Sequence, residues 1–257
     1  MSALAIYQPK GKAAEYASWA CNLYTGCSNG CDYCYCRRGS LGSIWTPEPR
    51  LKSCFRDEEH AFAVFIKELE QNEEALRKDG LFFSFTTDPM LPATRRLHWR
   101  CAVKAMERDV PVMLLTKCAG FIDDLGISIW KGNAAVNAAW GFTITGFDER
   151  EGLSAKNGAR VDEMKVLHDM GFRTFASLEP VIDPFVTAAW VHVLSKEHGC
   201  DFLMCGLESG RKETYDLQAL RFLQQTIEHS GIPFYLKHSF TKALGSHPME
   251  PKTVFQI

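Results

Sequence analysis

Four of the ten cysteines, Cys27, Cys31, Cys34 and Cys36, fall within ten residues. Thiolates are soft ligands, and a tight cluster of them points to a metal centre rather than to disulfides. Residues 22–38 read NLYTGCSNGCDYCYCRR, so Cys27, Cys31 and Cys34 follow a C-x3-C-x2-C spacing on one short loop. Gly26 and Gly30 ease the tight turns such a loop needs. A [4Fe–4S] cluster has four irons, so three protein thiolates leave one iron open. An open iron can chelate the amino and carboxylate groups of a bound cofactor. The other reading is a structural zinc site, with Cys36 or a distant Cys or His as fourth ligand. Such zinc sites are built from two paired halves, and no second CxxC or HxxxH recurs downstream.

The chain must supply a scaffold for that loop. Its 257 residues, 46% hydrophobic, suffice for two small domains or one large α/β barrel. A formal charge of −2 with 23% charged residues gives no global attraction for nucleic acid or an anionic membrane. No apolar run is long enough to span a bilayer, and residues 1–10 show no signal-peptide pattern, so a cytoplasmic, non-membrane protein is expected. The six remaining cysteines, Cys21, Cys54, Cys101, Cys118, Cys200 and Cys205, are scattered like small buried hydrophobes.

Helical and strand signals alternate. Residues 57–78 predict a helix capped by Asp57, with Phe62, Phe65, Ile66 and Leu69 on one face and Gly80 after its end. The strand run 81–86 (LFFSFT) follows. Further helices are predicted near 94–108, 121–131, 159–170, 186–196 and 218–229. They precede strand runs at 110–116, 139–143, 173–178, 201–205 and 232–237. With a first strand near 19–22, about seven strands separated by helices indicate a parallel sheet with right-handed crossovers. Runs apolar on both faces fit a sheet covered on both sides.

Polar residues sit where successive strands end: Thr86, Thr87 and Asp88; Thr116 and Lys117; Thr143 and Thr145; Glu179; Cys205 and Glu208; Lys237 and His238. In a (β/α) barrel functional groups gather at the carboxyl ends of the strands. Repetition at six strand ends favours one shared site over coincidence.

The C-x3-C-x2-C motif, with Tyr33 before its last cysteine, resembles the radical S-adenosylmethionine (SAM) signature. More narrowly, the chain resembles the spore photolyase-like branch and phage-associated radical SAM proteins. The matching pieces, in order, are TGCSNGCDYCY, FTTDP, LLTK, WGFTIT, SLEPV, GLESG and IPFYLK, spanning residues 22–237. The resemblance implies a partial (β/α)6-type radical SAM barrel of parallel strands plus an additional C-terminal strand. Residues 1–238 would form one domain, and residues 239–257 a tail packing on or near the barrel. It implies a [4Fe–4S] cluster on Cys27, Cys31 and Cys34, with SAM on the open iron. A one-electron donor such as flavodoxin or ferredoxin would reduce the cluster. SAM would then be cleaved to a 5′-deoxyadenosyl radical that abstracts hydrogen from a substrate.

On the same resemblance, the backbone near Tyr33 and Tyr35 approaches adenine, and Thr86, Thr87 and Asp88 receive the SAM amino group. Lys117 meets its carboxylate, Thr143 lies by the ribose or carboxylate, and Glu179 partners ribose hydroxyls. Spore photolyase carries a hydrogen-donor cysteine where this chain has Phe85, so that repair reaction does not carry over intact. Cys205 is a candidate replacement or a buried structural thiol, as are Cys36 and Cys118. Glu208 and Lys237 could bind substrate, move protons, or pair with each other. Arg37, Arg38, Arg95, Arg96 and Arg100 could contact the phosphates of a nucleic acid or nucleotide; surface solvation explains them equally. The rival function is a non-catalytic zinc- or cluster-binding nucleic-acid adaptor, which predicts scattered strand-end residues and no SAM binding.

Overall fold

The computed structural model describes residues 4–129, 137–197, 199–210 and 214–256. Strands β1 (Ile6–Tyr7), β2 (Ala20–Cys21), β5 (Leu81–Phe83), β6 (Val112–Thr116), β7 (Ala138–Thr143), β8 (Arg173–Val181), β9 (Phe202–Leu207) and β10 (Phe234–Leu236) form one sheet in that order. From β2 to β10 every neighbouring pair is parallel; β1 alone is antiparallel, to β2. Strands β3 (Tyr24–Thr25) and β4 (Arg50–Leu51) form a separate antiparallel pair. Helices α1 (Glu58–Gln71), α2 (Glu73–Asp79), α3 (Arg95–Met106), α4 (Asn157–Asp169), α5 (Pro184–Glu197), α6 (Leu217–Glu228) and α7 (His238–Ala243) complete the α/β fold. Seven parallel strands, the last following the sixth through α6, agree with the architecture expected from the sequence.

Strand alternation divides the interior. Phe82, Met113, Ala139, Phe175, Phe202 and Tyr235 face one side and pack together. Phe83, Leu114, Trp140, Leu178, Cys205 and Leu236 face the other, against helical residues such as Phe65, Leu97, Leu167, Val191 and Leu223. Among the described residues no α-helical one belongs to the first cluster, so that side is the inner face of the (β/α) arrangement, the concave one. Val254, from the tail, is buried there, and its carbonyl accepts from Arg173 at the start of β8 (3.1 Å). The tail therefore meets the concave face near the strand starts, and the site lies at the opposite, carboxyl ends. Gly141 makes this packing tight, because a Cβ there would lie 2.1 Å from the Phe175 ring. Gly141→Ala should cost about 1–3 kcal/mol through overpacking, read as a lower melting temperature. An unchanged melting temperature would show that the ring swings aside.

Several boundaries differ from expectation, each for a local reason. The single helix expected over 57–78 is two, because Asn72 leaves helical geometry and its Nδ2 donates to the Glu68 carbonyl (2.8 Å). Asp57 does cap α1, accepting from the His60 N–H at 2.7 Å. The stretch expected as a helix over 121–131 is turns and one 3-10 turn, Ile127–Ile129, with Gly126 at φ +59°; residues 130 and 131 lie outside the described residues. The strand expected over 81–86 stops at Phe83. Beyond it Ser84 donates to the Thr87 carbonyl (2.8 Å), the Phe85 N–H to Asn22 Oδ1 (2.8 Å) and Thr86 to the Tyr24 carbonyl (2.6 Å). Strand β1 was not foreseen; its Ala5 and Ile6 region is held by the buried Glu68 carboxylate at 2.8 and 2.7 Å.

Candidate functional site

The cysteine loop leaves β3 at Gly26, whose φ of +84° and closeness to Thr46 Oγ1 (2.3 Å from a built Cβ) admit only glycine. The Cys27 N–H then bonds the Thr46 carbonyl (3.0 Å), and the loop runs along the segment after β7. There the Asp32 N–H donates to the Arg150 carbonyl (3.0 Å), and the Leu153 N–H to the Asn29 carbonyl (2.8 Å). Burial, with the Asp88 charge nearby, pushes the Cys27 thiol up to about 12, although backbone N–H groups of Asn29 and Asp88 point at its sulfur. Cys34 is drawn down to about 6, first by a hydrogen bond from the Cys36 thiol and further by Lys117 and Arg37. Cys36 is correspondingly held protonated, and its sulfur lies 3.3 Å from the Phe85 carbonyl. The Tyr35 hydroxyl donates to that same carbonyl.

Asp88 joins the loop to the sheet. Its Oδ1 accepts from the Met90 N–H (2.9 Å) and Thr116 Oγ1 (2.6 Å); its Oδ2 accepts from Asn29 Nδ2 (2.8 Å) and the Lys117 N–H (2.8 Å). The expected acceptor for a cofactor ammonium is therefore a carboxylate whose lone pairs are already filled by the protein, and Asp88 serves as a brace. Next to it, the Thr87 hydroxyl is buried with no hydrogen-bond partner among the described residues. An orphaned buried hydroxyl is costly, and here it faces the question of a ligand. Thr86 is engaged by the Tyr24 carbonyl instead.

On the concave face, alternation along β6 and β7 brings up Lys117 and Thr143, 3.4 Å apart between Nζ and Oγ1. Burial alone would lower the Lys117 ammonium, but Cys31, Glu151 and Asp88 outweigh it and leave it raised. Its charge stands 5.6 Å from the Tyr33 ring centre. Further along the rim, Glu179 accepts from the Tyr16 hydroxyl (2.6 Å) and from Lys237 Nζ (2.8 Å). Tyr16 also shares a hydrogen bond with Ser177 (2.8 Å), and Lys237 lies 4.2 Å from its ring centre. Gly206 leaves room for this group, since a Cβ there would press on Glu179 (2.9 Å) and Lys237 (3.0 Å).

Three alternatives left open by the sequence are narrowed. Cys205 is a buried thiol of the helix-facing layer, raised by burial, and strand alternation turns it away from the concave face that Met204 occupies. Glu208 and Lys237 do not pair with each other: Glu208 meets Arg150 (3.4 Å) and Lys237 meets Glu179. Of the five arginines, Arg95 and Arg96 pair with Asp124 (2.7 and 3.7 Å) and Arg100 with Glu59 (2.5 Å). Only Arg37 and Arg38 stand by the cysteine loop, Arg38 bonding the Ser209 carbonyl (3.0 Å) beside Lys12 on the Ser209 hydroxyl (3.0 Å). Tyr16, Asn29, Arg150, Glu151 and Arg160 carry no spacing signal. Ser177 could have been found from its alternation with Glu179.

Among the described residues no group of three or more His, Cys, Asp or Glu side chains is set to hold one metal ion. A tetrahedral zinc needs such a group. A four-iron cluster takes each thiolate on a different iron, so its ligands stand further apart. Three thiols on a glycine-hinged loop, with N–H donors on the Cys27 sulfur and an ammonium nearby, fit that chemistry. Among the described residues no helix is long and apolar enough to cross a membrane.

No family model matches the chain. An uncharacterised protein of Methanocaldococcus jannaschii is 21% identical over 68% of this chain and 64% of its own length. A spore photoproduct lyase variant with bound AdoMet and dinucleoside spore photoproduct superposes with a TM-score of 0.58 at 18% identity, covering 84% of this chain and 62% of that one. Another spore photoproduct lyase variant gives a TM-score of 0.61 at 15% identity, covering 86% and 76%. SuiB of Streptococcus suis, bound to S-adenosylmethionine, gives 0.58 at 10% identity, covering 90% and 53%. The chain thus spans under two thirds of the curated relative and of the first of these structures. At these identities the likeness is one of fold alone: the chain shares the fold of spore photoproduct lyase and of SuiB.

Proposed function

We propose that the chain is a radical SAM enzyme, with a [4Fe–4S] cluster on Cys27, Cys31 and Cys34 and SAM along the concave rim. The observation that carries this reading is the junction of the cysteine loop with two strand ends: Asn29 on Asp88, and Lys117 among the thiols. A nucleic-acid adaptor has no need of that convergence. When bound, cluster and cofactor supply one-electron cleavage of the SAM sulfonium for hydrogen abstraction, with flavodoxin or ferredoxin as the class of electron donor.

The chain's own residues bind, orient and keep water out. Lys117 keeps its proton and offers a fixed positive charge to the SAM carboxylate, with Thr143 beside it. The Thr87 hydroxyl, without a partner among the described residues, can accept a hydrogen bond from the amino end, in place of the saturated Asp88. Glu179, steadied by Tyr16 and Lys237, presents an acceptor for ribose hydroxyls. Phe85 stacks on Phe82 (4.4 Å between centroids) and meets Tyr16 edge-on (6.0 Å), forming an apolar wall that excludes water. Lys117→Met should weaken SAM binding roughly 10–100-fold, the worth of a hydrogen bond to a charged group. Equilibrium dialysis of the reconstituted protein reads this, and unchanged affinity would remove Lys117 from the cofactor site.

The substrate class favoured here is a nucleotide or nucleic acid, supported by Lys12, Arg37 and Arg38, whose described contacts include no carboxylate. Binding to a fluorescent oligonucleotide that weakens in Arg38→Ala and with salt is expected; salt-insensitive or absent binding would reject it. The primary test is anaerobic iron and sulfide analysis after reconstitution, then chromatography for 5′-deoxyadenosine with dithionite and SAM. About four irons per chain with deoxyadenosine formed is expected. One bound zinc and intact SAM would favour the adaptor.

A further inference from the structure

We infer that Glu151 is a positioning residue that sets the thiolate loop against Lys117 and Thr143, acting through the Tyr33 hydroxyl on one side and Arg160 on the other. This rests on the cluster reading of the loop. The Glu151 side chain is 1% exposed and that of Arg160 0%, joined at 2.5 Å. Their other side-chain bonds run to Tyr33, Thr143, Ala155 and Asn157. Tyr33, next to Cys34, donates its hydroxyl to Glu151 Oε1. Arg160 Nη1 donates to the Thr143 carbonyl (2.6 Å), and its Nε to the Ala155 carbonyl (2.8 Å). The Ala155 N–H in turn holds the Lys117 carbonyl (3.0 Å). Asn157 adds a bond to Glu151 Oε2 (3.3 Å) and fixes the Thr145 and Gly146 N–H groups (2.9 and 3.1 Å).

Stability alone does not require this arrangement. A buried ion pair is often matched or exceeded by apolar residues of the same volume. What apolar packing lacks is direction. Hydrogen bonds to one carboxylate fix Tyr33, and with it the Cys34 end of the loop, relative to two strand ends. A misplacement of about 1 Å at a reacting centre can cost two orders of magnitude in rate. The outer contacts agree: Arg150 grips Asp32 of the loop (2.9 Å) and lies 5.6 Å from the Tyr33 ring centre, so the same segment also holds the loop from the solvent side.

Tyr33→Phe is the probe, because it keeps the ring and leaves the buried charge pair intact. In the apo chain, amide hydrogen exchange over residues 27–36 should rise about tenfold and stay unchanged elsewhere. After reconstitution, iron should be lost to a chelator roughly 10–100-fold faster, the usual effect of losing a partner around a metal ligand, with an altered electron paramagnetic resonance spectrum. Tyr24→Phe is the control, since it removes a bond of comparable length (2.6 Å, to Glu58) at another buried tyrosine. It should change neither readout. Wild-type exchange and iron release in Tyr33→Phe, or equal effects in Tyr24→Phe, would overturn the inference. Should the wild-type protein take up no iron, the cluster reading fails, and the exchange measurement still decides whether Glu151 positions the loop.

Discussion

Cys27→Ala, Cys31→Ala and Cys34→Ala should each abolish iron retention and SAM cleavage, whereas Cys36→Ala should keep both. Loss of a direct ligand must exceed the roughly 10–100-fold that loss of a supporting partner costs, so activity is expected to fall to background. The distinction from Cys36 is geometric. Cys27, Cys31 and Cys34 lie on the glycine-hinged loop, which backbone bonds to Thr46, Arg150 and Leu153 hold in place. Cys36 lies beyond it on the short turn Tyr35–Arg37, its sulfur directed at the Phe85 carbonyl and at Cys34. An open iron requires exactly three thiolates and no fourth. Iron and sulfide content with optical absorption, measured on all four variants, makes the test. If Cys36→Ala also loses its iron, the fourth position is protein-bound and the SAM reading fails.

Arg160→Met should lower stability by about 3–5 kcal/mol, the cost of leaving one member of a buried pair alone. Glu151 would keep its carboxylate with only the Tyr33 hydroxyl and Asn157, and the Thr143 carbonyl would lose its donor. At roughly 2–4 °C per kcal/mol for a chain of this size, the melting temperature should fall by on the order of 10 °C. Surface pairs such as Lys165–Asp169, 3.1 Å apart and 44% and 60% exposed, should move it hardly at all. A small shift in Arg160→Met, like that of the surface pair, would mean that water replaces the guanidinium and that the pair is not sealed.

Particular residues show how far the sequence carries. The spacing of Cys27, Cys31 and Cys34, the Asp57 cap and the alternation of helix and strand were legible because each is local, set by backbone geometry within a few residues. So was the series of polar residues at strand ends, since a parallel sheet places all those ends on one side. Partners across the fold were not. Asp88 is followed by Pro89 and reads as a free acid or a turn; beyond the local Met90 N–H, the approach of Asn29, Thr116 and Lys117, from 59, 28 and 29 residues away, fills its oxygens. Cys205 looks like a strand-end group in sequence, yet the phase of β9 turns it to the helices.

The chain's order of residues alone therefore determined which chemistry is present: three thiols on one loop, a parallel α/β scaffold, and polar groups at one end of it. Tertiary structure decided which of those groups are free to act. It filled Asp88, buried Cys205, separated Glu208 from Lys237, and drew Tyr16, Glu151 and Arg160 into the site. The reason is physical: a side chain's availability depends on what packs against it, and those neighbours come from segments whose separation along the chain leaves no periodic trace.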